Sequence, residues 1–297
     1  MRDKVTIGTL RAKKANREPI TMLTAYDYPT ALIEEKVGLD IILVGDSLAM
    51  TVLGYDSTLP ATMDIMVEHA AAVRRAAPTA FLVGDMPYMS YQVNHEEAIR
   101  NAGRFMAQAG CDAVKLEGGR NVADTVQALV KATIPVMGHI GLTPQSIAAL
   151  GGFKAQGRDT DAALEIIEDA RALHEAGISL LLLEGLPPEV GAIITEELPI
   201  PVIGIGAGPD CDGQLLIVHD ALGFFDRFTP KFVKKYANMN KILTEALEAY
   251  RDDVLRGAFP APEHCYTMKP GEVERLQARL AEKPRFSPAE ETEMRNR

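Results

Sequence analysis

Seven polar side chains stand at the ends of short apolar runs: Asp46 and Ser47 after LDIILVG, Asp85 after TAFLVG, Lys115 and Glu117 within CDAVKLEG, His139 within IPVMGHIG, and Glu184 after ISLLLL. Asp46, Asp85 and Glu117 come from consecutive runs. Brought together without a cation, three carboxylates repel one another and take up protons. Hard oxygen donors completed by water suit Mg²⁺ or Mn²⁺. The alternative is that each acid caps a turn or helix by itself, with no shared ion. Lys115 and Glu117 are two residues apart, so on a strand they share a face. The lysine then either neutralises an anionic substrate or an enolate, or pairs with Glu117. Glu184 closes a run made for burial. A carboxylate in an apolar rim is raised in pKa and can act as a base, the competing role being a salt-bridged structural acid. His139 either polarises an oxygen or is a hydrogen-bonded structural residue before Gly141.

The elements that must position these residues alternate regularly. Apolar runs at 20–27, 39–46, 79–85, 111–118, 134–141, 178–185, 200–208 and 214–223 are separated by helical patterns near 28–37, 62–76, 95–110, 121–132, 161–176, 189–196 and 230–250. Continuous apolar strands between helices indicate a parallel sheet covered on both faces. Eight such units favour an α/β fold closed as a (β/α)₈ TIM barrel over an open doubly wound sheet, and they put the chemistry at the carboxyl ends of the strands. Ala98, Ala102, Phe105, Met106 and Ala109 recur at helical spacing before Gly110. The segment 161–176 has Thr160 as its expected N-cap and Gly177 as its stop. Residues 5–16 are expected to form a short helix closing the bottom of the barrel. The barrel is expected over 1–255, with 256–297 a partly mobile extension and no separate domain. VLGYDSTLPATMD (52–64) is a loop long enough to fold over a ligand.

Composition excludes several classes. The 297 residues are 47% hydrophobic and 24% charged, as in an ordinary globular protein. With 41 acidic and 31 basic residues the net charge is −10, which disfavours nucleic acid or an anionic membrane surface as partner. Three dispersed cysteines, Cys111, Cys211 and Cys265, have neither zinc-site nor disulfide-scaffold spacing. The opening MRDKVTIGTLRAKKANRE lacks the apolar core of a signal peptide, and no run is long enough to span a membrane, so a reducing cytoplasm is expected. GIGAG (204–208) continues with Pro209 and Asp210 and so lacks the GxGxxG phosphate-binding pattern. Close packing of strand on loop is the expected use of its glycines. Met22, Met50, Met86 and Met137 are expected to fill the core or line a pocket.

At these residues the chain closely resembles the 3-methyl-2-oxobutanoate (ketopantoate) hydroxymethyltransferase family. The resemblance rests on TMLTAYDYPTA (21–31), ILVGDSLAMTVLGYDSTLPATMD (42–64), VGDMPYMSY (83–91), AVKLEGG (113–119), GHIGLTPQS (138–146), LLLEGLP (181–187) and IGIGAGPDCDGQLLIVHDALG (203–223). It implies a barrel of the phosphoenolpyruvate/pyruvate type. It also implies transfer of a one-carbon unit from 5,10-methylenetetrahydrofolate, a co-substrate, to 3-methyl-2-oxobutanoate, giving 2-dehydropantoate. By the same resemblance Asp46, Asp85 and Glu117 are the Mg²⁺-site acids, one ion per subunit. Asp46, Ser47, Asp85 and Lys115 contact the 2-oxo acid, Glu184 is the general base, and His139 is a pocket residue. A homo-oligomer, commonly a decamer, is the family expectation. Alternatives are a 2-methylisocitrate-lyase-like or phosphonopyruvate-processing barrel enzyme, or an oligomeric 2-oxo-acid-binding protein without turnover. The lyases need a loop cysteine near the metal, and EGGRNV after the fourth run offers none.

Overall fold

The apolar runs become eight parallel strands: β1 (Ile20–Thr24), β2 (Ile41–Val44), β3 (Phe81–Asp85), β4 (Ala113–Glu117), β5 (Val136–Gly141), β6 (Leu180–Glu184), β7 (Val202–Ile205) and β8 (Gly213–Leu216). Each pairs with the next, and β8 pairs in parallel with β1, from Ile20 opposite Gly213 to Leu23 opposite Leu216. That last pairing closes the barrel and rules out the open sheet. The computed structural model describes residues 2–282, and the chain divides into two compact units, residues 1–240 and 241–297.

Side chains alternate across the strands, so the first unit has two cores. Ile20, Met22, Ile41, Leu43, Phe81, Val83, Ala113, Met137, Leu180, Leu182, Ile203 and Leu215 fill the barrel interior. The residues between them, among them Ile42, Val44, Leu82, Val114, Leu116, Leu181 and Val202, pack outward. There they meet the helices α2 (Tyr28–Val37), α3 (Leu48–Thr51), α4 (Met63–Ala76), α5 (His95–Ala109), α6 (Ala123–Lys131), α8 (Thr160–Ala176), α9 (Pro188–Glu197) and α10 (Val218–Ala221), while α1 (Ile7–Asn16) and the short α7 (Ile147–Leu150) lie outside this layer. Met22, Met86 and Met137 are core residues, and Met50 lines the cavity described below.

Caps set the helix ends. Asp27, the last residue of the first apolar run, serves as a cap. Its carboxylate accepts the Thr30 N–H at 2.8 Å as the N-cap of α2. At α8 the N-cap is Asp159, not Thr160. Asp159 is extended and its carboxylate accepts the Ala162 N–H at 2.9 Å, so Thr160 becomes the first helical residue. Gly110 and Gly177 end α5 and α8 in the left-handed conformation. Helix α1 closes the amino-terminal side of the barrel. Leu10 is buried among the interior residues of the strands. Lys13 pairs with Asp40 at 2.8 Å and Lys14 with Asp212 at 2.7 Å, just ahead of β2 and β8.

The helical pattern expected over 230–250 begins later, with α11 at Met239–Leu255. The N–H groups of Tyr236, Met239 and Asn240 donate to the carbonyls of Ala221, Leu222 and Gly223 at the end of α10, which holds the segment ahead of Met239 as a loop. The second unit contains most of α11, α12 (Glu272–Ala281), and an edge-on contact of Tyr250 with Phe259 at 5.9 Å between ring centres. The tail 283–297, expected to be mobile, lies outside the described residues. Among the described residues no helix is long and apolar enough to cross a membrane.

Candidate active site

Strand register brings the predicted polar residues together. Asp85 stands opposite Lys115 on neighbouring strands, and Glu117 opposite His139. All four occupy interior-facing positions, continuing the alternation of Val83, Ala113 and Met137, but one step nearer the carboxyl end. Asp46 and Ser47 follow β2, and Glu184 ends β6. All seven line one cavity of about 750 Å³ at the carboxyl face of the barrel.

The centre is a buried charge cluster. Lys115 Nζ lies 3.0 Å from Asp85 Oδ2 and 3.5 Å from Glu117 Oε1. It also lies 3.2 Å from His139 Nδ1. The other side of His139 faces Glu184, with Nε2 3.2 Å from Glu184 Oε2, near enough to interact electrostatically but outside hydrogen-bond geometry. Asp85 Oδ2 also accepts the backbone N–H of Asp46 at 2.8 Å, so one carboxylate holds both the lysine and the turn after β2. Gly45 makes that turn possible. A Cβ there would lie 2.8 Å from Ser47 Oγ. The Ser47 hydroxyl is hydrogen-bonded to the Tyr26 hydroxyl at 2.8 Å.

Electrostatics follow from burial and crowding. Asp46 is 3% exposed. Burial, then repulsion by Asp85 and Glu117, pushes its carboxyl well above the usual range. Burial also raises Asp85, in spite of Lys115 beside it. Burial opposes the charge of Glu117 too, but there Lys115 and the His139 contact prevail and hold it below the ordinary value. Burial disfavours the Lys115 ammonium, yet the three carboxylates outweigh it and hold that pKa above normal. His139 is disfavoured as a cation by burial and Lys115, and raised on balance by Glu117 and Glu184.

Two buried residues of this site were not singled out from sequence. Gln145, 5% exposed, donates from Nε2 to Asp46 Oδ2 at 2.9 Å and to the Met86 carbonyl at 3.0 Å. Its backbone N–H donates to Glu117 Oε2 at 2.9 Å. The Tyr91 hydroxyl donates to Gln145 Oε1 at 2.8 Å and accepts the Glu117 N–H at 3.1 Å. Both lie inside motifs quoted above, VGDMPYMSY and GHIGLTPQS, but an amide and a phenol carry no charge pattern to mark them. Elsewhere, the GIGAG glycines serve packing: a Cβ on Gly206 would lie 2.5 Å from the ring of Phe232. Thr58, from the loop after β2, lines the cavity as expected of that segment. Cys111 is buried ahead of β4, away from the cavity, and burial pushes its thiol up to about 12, so it is no nucleophile for this site.

The closed eight-stranded parallel sheet places the chain in the class of (β/α)₈ barrel proteins, and solved barrels resemble it in fold. The phosphoenolpyruvate phosphomutase of Streptomyces platensis subsp. rosaceus superposes with a TM-score of 0.58 at 15% identity, covering 94% of this chain and 100% of that one. A 2,3-dimethylmalate lyase superposes with a TM-score of 0.56 at 17% identity, covering 93% and 100%. Within that class the sequence is specific. Residues 4–262 match the family model described as ketopantoate hydroxymethyltransferase. The 3-methyl-2-oxobutanoate hydroxymethyltransferase of Syntrophomonas wolfei is 54% identical over 92% of this chain and 99% of its own. That of Moorella thermoacetica is 56% identical over 89% and 98%. The chain belongs to the ketopantoate hydroxymethyltransferase family.

Proposed function

We propose that this chain transfers a hydroxymethyl group from 5,10-methylenetetrahydrofolate to 3-methyl-2-oxobutanoate, giving 2-dehydropantoate and tetrahydrofolate for pantothenate synthesis. Within this family, the observation that carries the assignment of roles is the buried cluster of Asp46, Asp85, Glu117 and Lys115, joined through His139 to Glu184 in one cavity.

The cluster fits Mg²⁺. Three buried carboxylates face one lysine, and Asp85 Oδ1 and Glu117 Oε1 are buried without a hydrogen-bond partner among the described residues. Among the described residues no three acidic, histidine or cysteine side chains are arranged to hold an ion by themselves, so waters and substrate oxygens would complete the shell, as Mg²⁺ commonly requires. Asp46, Asp85 and Glu117 would hold one ion per subunit, directly or through water. Bound there, Mg²⁺ supplies Lewis-acid polarisation of the substrate's carboxylate and 2-oxo oxygens. Ser47 and Lys115 present donors to those oxygens, while Asp46 and Asp85 border the same seat and fix the lysine and the turn. Glu184 removes the proton from C3. His139 Nε2 stands beside it, 3.2 Å from its carboxylate. Lys115 stabilises the negative charge that develops on the 2-oxo oxygen, and the carbon nucleophile attacks the methylene carbon of the folate, forming a carbon–carbon bond as one carbon–nitrogen bond breaks. Water then displaces the second nitrogen and supplies the hydroxyl oxygen, while its proton and the one taken from C3 go to the two nitrogens of the released tetrahydrofolate.

Exchange of the C3 hydrogen with deuterated solvent, followed by NMR, tests this directly. Wild-type protein with Mg²⁺ is expected to exchange it, and chelation to stop exchange. Glu184→Gln is expected to bind the 2-oxo acid and not exchange it. Lys115→Met should weaken both by about tenfold or more. Full exchange in chelated wild type would remove the metal from the mechanism, and near-normal exchange in folded Glu184→Gln would move the base to another residue. Binding without exchange in wild type would restore the 2-oxo-acid-binding protein. The lyase and phosphonopyruvate alternatives share only the fold with this chain, and controls with their substrates are expected to stay silent. The proposed enzyme is a cytoplasmic homo-oligomer, a decamer by family resemblance.

A further inference from the structure

The transfer moves more protons than the residues assigned so far can carry. Two carbon–nitrogen bonds break, so each nitrogen must receive a proton, and the attacking water must lose one. Glu184 carries only the proton of C3. Lys115 faces the 2-oxo oxygen, and the three carboxylates beside it keep it protonated. Asp46, Asp85 and Glu117 would hold the ion. One acid of the same cavity is unused. Asp220 lies in α10, just after β8 and two strands round the barrel from β6. It lines the cavity, on the side where Ile205, Leu215 and Ile217 do the same. The residue is 6% exposed, and its carboxyl makes no hydrogen bond and no ion pair among the described residues. The fold fixes its position: the Val218 N–H donates to Thr24 Oγ1 at 3.0 Å, which ties this turn to the end of β1. Its neighbour His219 packs between rings, stacked on Phe224 at 5.3 Å and tilted on Tyr26 at 5.4 Å between centres. The histidine is taken up in packing, and the aspartate is left to face the cavity. A carboxyl buried without a protein partner costs stability, and in a cleft it is a candidate for proton transfer. Burial pushes that of Asp220 up to about 6, against the weaker pull of Lys235, so it can both give and take a proton near neutral pH.

We propose that Asp220 is a second acid–base catalyst of the transfer, serving the first nitrogen and the water while Glu184 serves C3. The inference rests on the transfer reaction proposed above. Asp220 starts as the neutral acid. As the carbon nucleophile forms its bond to the methylene carbon, the electron pair of the first carbon–nitrogen bond stays on nitrogen, which takes the Asp220 proton. Water then attacks the same carbon and gives a proton to the Asp220 carboxylate. The electron pair of the second carbon–nitrogen bond stays on the other nitrogen, which takes from Glu184 the proton removed from C3. Both carboxyl groups end as they began, and nothing is oxidised or reduced.

Two rates measured on the same protein separate this role from that of Glu184. Asp220→Asn keeps the size and neutrality of the protonated acid and loses the transferable proton. In this variant, with Mg²⁺, exchange of the C3 hydrogen of 3-methyl-2-oxobutanoate with deuterated solvent is expected to stay within about twofold of wild type. Its kcat for 2-dehydropantoate formation from 5,10-methylenetetrahydrofolate should fall about a hundredfold or more, with the KM for both substrates little changed. Asp220→Ser, small enough to be packed without strain, should show the same split between exchange and transfer. Asp220→Glu restores a carboxyl and should regain about tenfold of the lost kcat. Transfer within a few-fold of wild type in folded Asp220→Asn or Asp220→Ser would overturn the proposal. So would a loss of exchange as large as the loss of transfer, because Asp220 would then only shape the seat of the 2-oxo acid. Failure of the underlying reading is distinct: wild-type protein itself would then not exchange the C3 hydrogen.

Discussion

Gln145 shows how much of the site depends on an uncharged residue. Its two amide hydrogens, its carbonyl and its backbone N–H are all engaged, and between them they fix Asp46, Glu117 and Tyr91. Replacing it with leucine keeps the backbone donor but strips the partners from Asp46 Oδ2 and from the Met86 carbonyl. Leaving buried polar groups unsatisfied costs about 1–3 kcal/mol. Gln145→Leu is therefore expected to lower the urea midpoint and to raise the KM for the 2-oxo acid by tenfold or more. Gln145→Glu should disturb the site more, because a fourth carboxylate would then face Asp46. Both follow from denaturation curves and initial rates on the same preparations. Equal KM values for Gln145→Leu and wild type would reduce Gln145 to a packing residue.

Among the elements, α2 holds an acid that no chemistry explains. Glu34 is 4% exposed, and neither of its carboxylate oxygens has a hydrogen-bond partner among the described residues. Burial, with a smaller contribution from Asp27, raises its pKa to about 8. A carboxyl group raised on folding is held as the protonated acid by the folded chain, while the unfolded chain releases the proton near its ordinary value of 4.5. The stability this group permits is thus fully present in acid and declines as pH rises from about 4.5 to about 8. Glu34→Gln keeps the shape of the neutral acid and is expected to flatten that decline, raising stability at pH 9 by on the order of a few kcal/mol with little change at pH 5. Urea unfolding at the two pH values measures it. An unchanged difference between them would place the titration elsewhere. The same scale explains the fate of the aspartates that end apolar runs: Asp27 lies past β1 at the start of a helix and caps it, whereas Asp46 and Asp85 fall where strand register turns them into the barrel mouth.

For the whole molecule, charge separates into regions. An acidic chain concentrates buried carboxylates at the strand ends and leaves Lys154, Arg158 and Lys231 around the same cavity. The expectation of a decamer is a statement about this scale. Light scattering behind size exclusion should give a mass near ten times the 32.2 kDa of one chain. A monomer at micromolar concentration would refute it. Helix α2 exposes Tyr28, Ile33 and Val37, so apolar surface remains on the barrel exterior.

What the sequence determined by itself was the alternation of eight apolar runs with amphipathic segments, and the polar residues at their ends. These signals are local: burial on both faces makes a strand continuously apolar, and a catalytic mouth puts its charges just past that run. The seven residues named from that pattern all line one cavity. Tertiary structure alone decided three further matters. Closure depended on β8 meeting β1, a pairing of residues nearly two hundred positions apart that no local pattern encodes. The late start of α11 left the chain ahead of it free to run as a loop, and Phe228 and Lys231 reached the cavity from there. Gln145 and Tyr91 became part of the site through hydrogen bonds that exist only once β2, β3, β4 and β5 stand side by side. Neutral polar side chains acquire a role from what surrounds them, and in a barrel those surroundings are assembled from distant parts of the chain.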